Sequence, residues 1–243
     1  MDLTKLRVDT RAVWEQLDGH PLLKGFVLIG GTALTLRIGH RVSEDLDFAY
    51  ATGEHLPRSR LDLLARSLLD RGVALALNQS PHAEEEFLNA GLELADYQQD
   101  FVANGTVKVS FMSPDAPAQL VIAGDSGLPL RVATLDEIFA LKSLVCAERS
   151  KTRDWFDLYV LMTEHGFSIV DFHDVFLRYR ATPKFDNAQM RLRTCTPDAG
   201  DEGYEQLLAD APALDTMRAF FRTHLDELEI RQAKQAFRSP SNG

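Results

Sequence analysis

The sequence predicts an α/β (α+β) fold: a mixed αβ half followed by a helical half, with the join near residue 133. In the first half, short apolar segments end at glycines or turn residues, as strands do. Two alternating segments flank Asn104-Gly105, which favours a β-hairpin. After residue 133, apolar residues recur every three or four positions, which indicates helices. We therefore predict an αβ core at residues 1–133 and a helical region at residues 134–243.

The elements of the first half follow from apolar spacing and from stop signals. Gly39 and Gly72 each follow an amphipathic segment and are expected to end a helix. Alternating or continuously apolar segments of four to eight residues are expected to be strands. The predicted helices are 3–17, 32–38 and 58–71, and the predicted strands are 26–31, 43–49, 73–77, 96–103, 106–112 and 128–133.

The first helix of the second half has its own start signal. Thr134 and Glu137 have the spacing of a capping box, which predicts a helix over residues 135–149. The apolar pattern that follows predicts three more helices. These lie at 153–165, 168–180 and 211–236.

Composition excludes several classes of protein. Hydrophobic residues make up 45% of the 243 residues, enough for a packed core. No run of 18 apolar residues predicts a membrane span, and the N-terminus lacks the apolar segment of a signal peptide. Cys146 and Cys195 form no metal-binding or disulfide pattern. We expect a reduced, cytoplasmic protein with no membrane partner, and the net charge of −10 argues against a surface that is basic overall.

The segment SEDLDF places two carboxylates close together. If residues 43–49 form a strand, Leu46 and Phe48 face one side, and Ser43, Asp45 and Asp47 face the other. Carboxylates ~7 Å apart on one strand face can share divalent metal ions. Magnesium suits this arrangement, because it takes one or two carboxylates together with substrate phosphates.

A second feature precedes the carboxylates in the chain. Gly30-Gly31-Thr32 opens a predicted helix, and backbone N–H groups at a helix N-terminus bind anions. A lone Gly-Gly is more often a tight turn, and a lone Asp-x-Asp is more often a solvated strand end. Together, in this order and spacing, they predict a site for a metal-bound nucleoside triphosphate.

The stretch GGTALTLRIGHRVSEDLDF resembles the first motif of the nucleotidyltransferase superfamily, and more narrowly the AbiEii/AbiGii-type toxin family. The resemblance covers roughly residues 20 to 165. It implies a nucleotidyltransferase-like mixed β-sheet flanked by helices, Mg²⁺ and a nucleoside triphosphate. It also implies a role in type IV toxin–antitoxin or phage-defence systems, with a cognate antitoxin protein. Some related toxins transfer nucleotides to tRNA ends.

The resemblance assigns roles to residues of this stretch. Asp45 and Asp47 match the metal-binding pair. Arg41 has two open interpretations: it contacts a phosphate, or it pairs with a neighbouring acid as a structural brace. The residues that match the phosphate-side motif, or lie in the same stretch, are Gly30, Gly31, Thr32, Arg41 and Ser43.

One position departs from the superfamily pattern. Many nucleotidyltransferases carry a third carboxylate on a later strand, and here the matching strand has Ser110. A serine is not a general base by itself. With a two-residue turn at Asn104-Gly105, Gln99 would lie opposite Ser110, and Asp100 would face the other way. The general base is therefore left open, and so is a weak or substrate-assisted activity.

The second half carries another charged cluster. Lys142 lies beside the apolar stripe of its predicted helix, and Asp154 and Asp157 share one face of the next. One interpretation is an ion pair that joins the two helices. The resemblance implies another, in which Lys142 contacts the triphosphate and Asp154 is its partner or a base. Asp157 is expected to hold the helices together.

The sequence therefore predicts an Mg²⁺-dependent nucleotidyltransferase that moves a nucleoside monophosphate from an NTP to an acceptor. RNA, and the tRNA end in particular, is the expected acceptor, and the chain would be the toxin of a two-component system. The basic stretch 178–193 would either contact nucleic acid or pair with nearby acids as a solvated loop. Two alternatives are a nucleotidyltransferase that modifies a partner protein and a nucleotide- or partner-binding module without turnover.

Overall fold

The computed structural model describes residues 3–124 and 129–238, and the chain divides into two compact units, Met1–Ile138 and Phe139–Gly243. The first unit is built on a mixed sheet and the second is helical. The predicted fold class is confirmed. Residue 128 of one predicted strand lies outside the described residues. Within the described ranges, no helix is both long and apolar enough to cross a membrane.

The first unit contains a six-stranded sheet in the order β3-β4-β5-β2-β1-β6. Strands β2 and β5 are parallel, as are β1 and β6, and the other neighbouring pairs are antiparallel. The strands are β1 (Phe26–Ile29), β2 (Leu46–Tyr50), β3 (Leu75–Leu77), β4 (Gln98–Ala103), β5 (Val107–Met112) and β6 (Leu130–Val132). The helices are α1 (Val8–Leu17), α2 (Gly30–Ile38), α3 (Arg58–Leu69), α4 (Pro81–Asn89) and α5 (Ala116–Ile122).

The two faces of the sheet differ in burial, because side chains alternate along each strand. On β2 and β5 the apolar side chains of one face are almost fully buried, with Phe48 stacked on Phe111 at a centroid distance of 5.2 Å. On the opposite face, Asp47 and Ser110 are half-buried and Lys108 is exposed. The face that carries Asp47, Ser110 and Lys108 is therefore the more polar of the two.

Several boundaries differ from the prediction. α1 begins at Val8, after a short 3₁₀ turn, and β2 begins at Leu46 rather than at residue 43. Asp45 therefore lies just before the strand and not on it, because the ladder of β2 begins only at Leu46. The sequence interpretation also missed α4 and α5. Both helices carry start signals: Ser80 before Pro81, and Asp115 two residues before Pro117.

The hairpin between β4 and β5 differs from the prediction by one residue. Asn104 and Gly105 both have positive φ, and the N–H of Thr106 donates to the carbonyl of Ala103, as in the predicted turn. However, the strands pair Ala103 with Val107, so Thr106 is an extra loop residue. A one-residue shift in register exchanges the faces of a strand. Asp100 therefore pairs with Ser110, where the two-residue turn predicted Gln99.

The helical unit consists of helices joined by short turns. The capping box of the first helix is confirmed: Glu137 accepts from the N–H of Thr134, and Thr134 accepts from the N–H of Glu137. The helix ends at Val145, earlier than predicted, and a helix over residues 185–194 was missed. The helices are α6 (Leu135–Val145), which contains the boundary between the units, α7 (Thr152–Glu164), α8 (Ile169–Arg178), α9 (Phe185–Thr194) and α10 (Leu214–Arg238).

Candidate active site

The carboxylate of Asp47 lies against the start of α2. Strand β1 ends at Ile29, which pairs with Asp47 of β2, and α2 begins at the next residue, Gly30. A Cβ atom built on Gly30 would lie only 2.6 Å from Asp47 Oδ2. Gly30 also has a φ of +71°, a conformation that favours glycine. The predicted phosphate end and the predicted metal end of the site are therefore adjacent.

The side chain of Thr32 holds the segment that carries Asp45. Its hydroxyl donates to the backbone carbonyl of Asp45 in a short hydrogen bond and lies 2.7 Å from Ser43 Oγ. Since the only proton of the Thr32 hydroxyl goes to Asp45, Ser43 is the donor of the second bond. Thr32 and Ser43 are both buried. Both hydroxyls therefore position the loop before β2.

The guanidinium of Arg41 lies against Gly31. A Cβ built on Gly31 would collide with Arg41 Nη2, and Arg41 Nη1 donates to the carbonyl of Val42 at 3.1 Å. Arg41 is 5% exposed, so a cation is buried beside the first turn of α2. A guanidinium beside a helix N-terminus is compatible with both interpretations of Arg41, a phosphate contact and a structural brace.

Ser110 lies beside Asp47, and Asp100 lies beside Ser110. Parallel pairing of β2 with β5 matches Asp47 to Ser110, and antiparallel pairing of β5 with β4 matches Ser110 to Asp100. Residues paired in this way point to the same face of a sheet. The expectation that Asp100 faces away from Ser110 is therefore wrong, because Thr106 lengthens the loop.

The side chains at this site suit a hard cation whose coordination shell is completed by the substrate. In residues 3–124 and 129–238, no group of three or more His, Cys, Asp and Glu side chains is arranged to hold a metal ion. Asp47 places a carboxylate oxygen at the start of α2, Asp45 precedes it by two residues in the chain, and the backbone at Gly30 and Gly31 has no space for a Cβ. Mg²⁺ usually takes one or two carboxylates and completes its shell with water and phosphate oxygens. The residues present therefore fit a magnesium–triphosphate complex better than a metal held by protein alone.

Within the helical unit, Lys142 is held by two carboxylates of α7. Its Nζ lies 2.6 Å from Asp154 Oδ1 and 2.7 Å from Asp157 Oδ2. All three residues are buried, and Asp157 is 0% exposed. The interhelical ion pair anticipated from sequence is therefore present, and both acids take part in it.

Arg149 completes this cluster. It lies in the turn after α6 rather than on the helix, and its Nε donates to Asp154 Oδ2 at 2.8 Å. Burial opposes the charge of Asp154, but the charges of Lys142 and Arg149 and the hydrogen bonds they donate outweigh burial. The pKa of Asp154 consequently lies below its ordinary value. Burial raises the pKa of the neighbouring Cys146 thiol, which stays protonated.

The basic stretch 178–193 is largely helical and partly paired with acids. Arg193 contacts Asp226 and Glu229 of α10, and Lys184 Nζ lies 2.7 Å from Glu148 Oε1. The expectation of a loop is wrong, because α9 covers residues 185–194. The ion pairs agree with the interpretation that nearby acids neutralise this stretch.

Comparison with known proteins extends over nearly the whole chain. The family model described as "Nucleotidyl transferase AbiEii toxin, Type IV TA system" matches residues 12–240. An uncharacterised protein of Aquifex aeolicus (strain VF5) is 23% identical over 229 residues, which are 93% of this chain and 98% of that protein.

Two crystal structures from Helicobacter pylori have a similar fold. JHP933 is 19% identical, with a TM-score of 0.51 over 98% of this chain and 97% of its own. A second chain, described as a candidate nucleotidyltransferase, is 19% identical, with a TM-score of 0.52 over 97% of this chain and 99% of its own. At 19% identity, the two structures support the fold alone.

Proposed function

The chain belongs to the AbiEii family of nucleotidyltransferase toxins of type IV toxin–antitoxin systems, and we propose that it transfers a nucleoside monophosphate from an NTP to an RNA acceptor, the tRNA end in particular. One observation carries this proposal: the carboxylate of Asp47 lies against the glycine start of α2. This contact supports a single site in which the N–H groups of the helix start would bind phosphate and Asp47 would hold a metal ion.

The proposal gives a role to each candidate site residue of the first unit. Asp45 and Asp47 would hold Mg²⁺, which when bound neutralises phosphate charge and favours attack on phosphorus. The backbone N–H groups of Gly31 and Thr32 would bind the phosphates, with the Arg41 guanidinium beside them. Ser43 would act indirectly, because its hydroxyl is committed to Thr32.

In the reaction, an acceptor hydroxyl attacks the α-phosphorus and pyrophosphate leaves. Little covalent chemistry falls to the protein, which mainly positions the groups and stabilises charge. From the family resemblance we also propose that Lys142 contacts the triphosphate, with Asp154 as its partner. Asp157 then has a structural role as a second ion-pair partner of Lys142, and the 2.7 Å distance between Lys142 Nζ and Asp157 Oδ2 supports this role.

The proposal is tested by incubating the purified chain with labelled NTPs, Mg²⁺ and total RNA. We expect labelled RNA from the wild type and none from an Asp45→Ala/Asp47→Ala double variant. An Asp62→Ala/Asp70→Ala variant, which removes two exposed carboxylates of the same unit, is the charge-matched control. Equal labelling by the wild type and the Asp45→Ala/Asp47→Ala variant would contradict the proposal.

The same assay separates the alternatives. Label on a polypeptide instead of RNA would identify a protein acceptor. Tight Mg²⁺-dependent nucleotide binding without any labelled acceptor would identify a binding module, and serine at position 110 favours this second candidate. The family also implies a cognate antitoxin, and we propose that the chain acts in the cytoplasm, where NTPs and RNA are available.

A further inference from the structure

Asp100 is a half-buried carboxylate on the polar face of the sheet, and one of its oxygens has no hydrogen-bond partner among the described residues. Two hydrogen bonds join its backbone to the segment after β3: its N–H donates to Gln79 Oε1 at 2.8 Å, and its carbonyl accepts from the N–H of Asn78 at 2.8 Å. Gln98 Nε2 donates to Asp100 Oδ2 at 2.6 Å and orients the carboxyl group. Asp100 Oδ1 is buried and has no hydrogen-bond partner among the described residues. Such an atom calls for an explanation, because most buried polar atoms are paired.

The position of Asp100 relates it to the proposed metal site. Asp47, Ser110 and Asp100 occupy one row across three neighbouring strands and face the same side. At ~4.8 Å per strand, the backbones of Asp47 and Asp100 are about 10 Å apart. The short Ser110 side chain lies between them in this row.

This separation decides between two roles for Asp100. Two ligands of one Mg²⁺ each lie about 2.1 Å from the ion, so their oxygens lie within about 4.2 Å of each other. For Asp100 to share an ion with Asp47, both side chains would have to extend fully towards each other across Ser110, and Gln98 already holds Oδ2 of Asp100. A reacting oxygen, by contrast, lies ~3–3.5 Å from the phosphorus that it attacks, on the side away from the leaving group. The gap is suited to a phosphoryl group beside Asp47 and an acceptor hydroxyl beside Asp100.

We infer that Asp100 is the general base of the proposed nucleotidyl transfer, an inference that rests on the proposed function. Asp100 Oδ1 accepts the proton of the acceptor hydroxyl as that oxygen forms its bond to the α-phosphorus. The bond from the α-phosphorus to the bridging oxygen breaks, and pyrophosphate leaves with the electron pair. Gln98 is a positioning residue, because it holds Oδ2 and leaves Oδ1 as the oxygen that can accept the proton.

Asp154 is a poorer candidate for the base. Its Oδ1 contacts Lys142 Nζ and its Oδ2 accepts from Arg149 Nε, so both of its oxygens are committed. Two cations also stabilise its ionised form and lower its pKa, which weakens it as a proton acceptor. Asp100 Oδ1, by contrast, has no hydrogen-bond partner among the described residues.

The test compares Asp100→Asn with the wild type in single-turnover transfer of labelled nucleotide. We expect the rate to fall about 10²–10⁴-fold, as is typical when a general base is removed. The dissociation constant for nucleotide and the Mg²⁺ concentration at half-saturation should change less than threefold, which also shows that the variant is folded. Asp62→Asn, the same change at an exposed carboxylate, should match the wild type. Asp100→Glu, which keeps a carboxylate at this position, should transfer within about tenfold of the wild type.

The outcomes separate this inference from the proposed function. A labelled acceptor and an equally active Asp100→Asn variant would overturn the role of Asp100 alone. Weaker Mg²⁺ binding in Asp100→Asn, with the transfer rate restored by excess Mg²⁺, would identify Asp100 as a metal ligand and overturn its assignment as the base. An Asp100→Glu variant as inactive as Asp100→Asn would also overturn that assignment. A wild-type chain that binds nucleotide but labels no acceptor would overturn the proposed function, and the assignment with it.

Discussion

The Oδ2 atom of Asp47 lies where the side chain of any larger residue at position 30 would have to go, since a Cβ on Gly30 would stand 2.6 Å from it. Gly30 therefore does two things: it adopts a left-handed φ, and it admits a carboxylate to the helix start. Substitutions at this position separate the two effects.

Gly30→Ala should displace the Asp47 carboxylate and weaken Mg²⁺-dependent nucleotide binding at least tenfold. The positive φ alone should cost about 1–2 kcal/mol of the free energy of unfolding. Gly72→Ala is the matched control, because Gly72 has a φ of +85° and open space around its Cβ position. Urea unfolding should show a similar loss for both variants, while nucleotide titration should show a loss for Gly30→Ala only. Equal nucleotide affinity in the two variants would contradict the proposed cradle.

Thr32→Val should loosen the loop that carries Asp45. Valine has nearly the shape of threonine but leaves the Asp45 carbonyl and the Ser43 hydroxyl without this partner. We expect a loss of about 1–3 kcal/mol in the free energy of unfolding, together with slower nucleotide transfer. Thr163→Val makes the same change at an exposed helical position and should lose less than about 0.5 kcal/mol. Thr32→Ser, which keeps the hydroxyl, should recover most of the transfer rate, and a Thr32→Val chain as stable as the wild type would refute this role.

Lys142→Met should destabilise the helical unit strongly. It leaves Asp154 and Asp157 buried without the cation that they share, which typically costs about 3–5 kcal/mol. Lys184→Met provides the contrast, because the ion pair of Lys184 with Glu148 is largely exposed and should be worth less than about 1 kcal/mol. Chemical unfolding at pH 7 measures both changes. Equal losses in the two variants would mean that burial does not set the strength of the Lys142 cluster.

His20 should make stability depend on pH between about 5 and 7. It is 3% exposed, its Nδ1 accepts from the N–H of Leu22, and its Nε2 lies 3.1 Å from Ser67 Oγ, so the neutral form fits. Burial and then the charge of Arg71 lower the pKa of His20 in the folded chain.

Because the folded pKa of His20 is lowered, the unfolded chain takes up a proton first as the pH falls. The contribution of His20 is therefore complete above the unfolded pKa of about 6.5 and is lost below it, by at most about 1.4 kcal/mol per pH unit. The difference in free energy of unfolding between the wild type and His20→Gln should shrink from pH 7.5 to pH 5. An unchanged difference between the wild type and His20→Gln over this pH range would contradict the expectation.

Local chemistry predicted much of the fold. The left-handed stop at Gly39, the capping box of Thr134 and Glu137 and the turn at Asn104-Gly105 are all present, because each depends on residues a few positions apart. The pairing of Lys142 with α7 was also anticipated, since helical spacing alone places a lysine beside an apolar stripe.

The remaining features depend on contacts that spacing does not encode. Whether Asp45 belongs to β2 depends on where the ladder with β5 begins. Whether Asp100 faces Ser110 depends on one extra loop residue, and the same turn signal is compatible with both registers. The partner of Arg149 follows from the end of α6 at Val145, which apolar periodicity placed four residues too late.

Because Thr106 is an extra loop residue, the length of this loop decides whether Asp100 or Gln99 lies beside Ser110. Deleting one residue of this loop should pair Gln99 with Ser110. Asp100 would then face the buried side of the sheet, although no residue of the candidate site would have been substituted. Among homologous chains, an insertion or deletion at this exposed tip would therefore count as a change of active-site chemistry. Alignments that treat the hairpin tip as neutral would compare residues from opposite faces of the sheet.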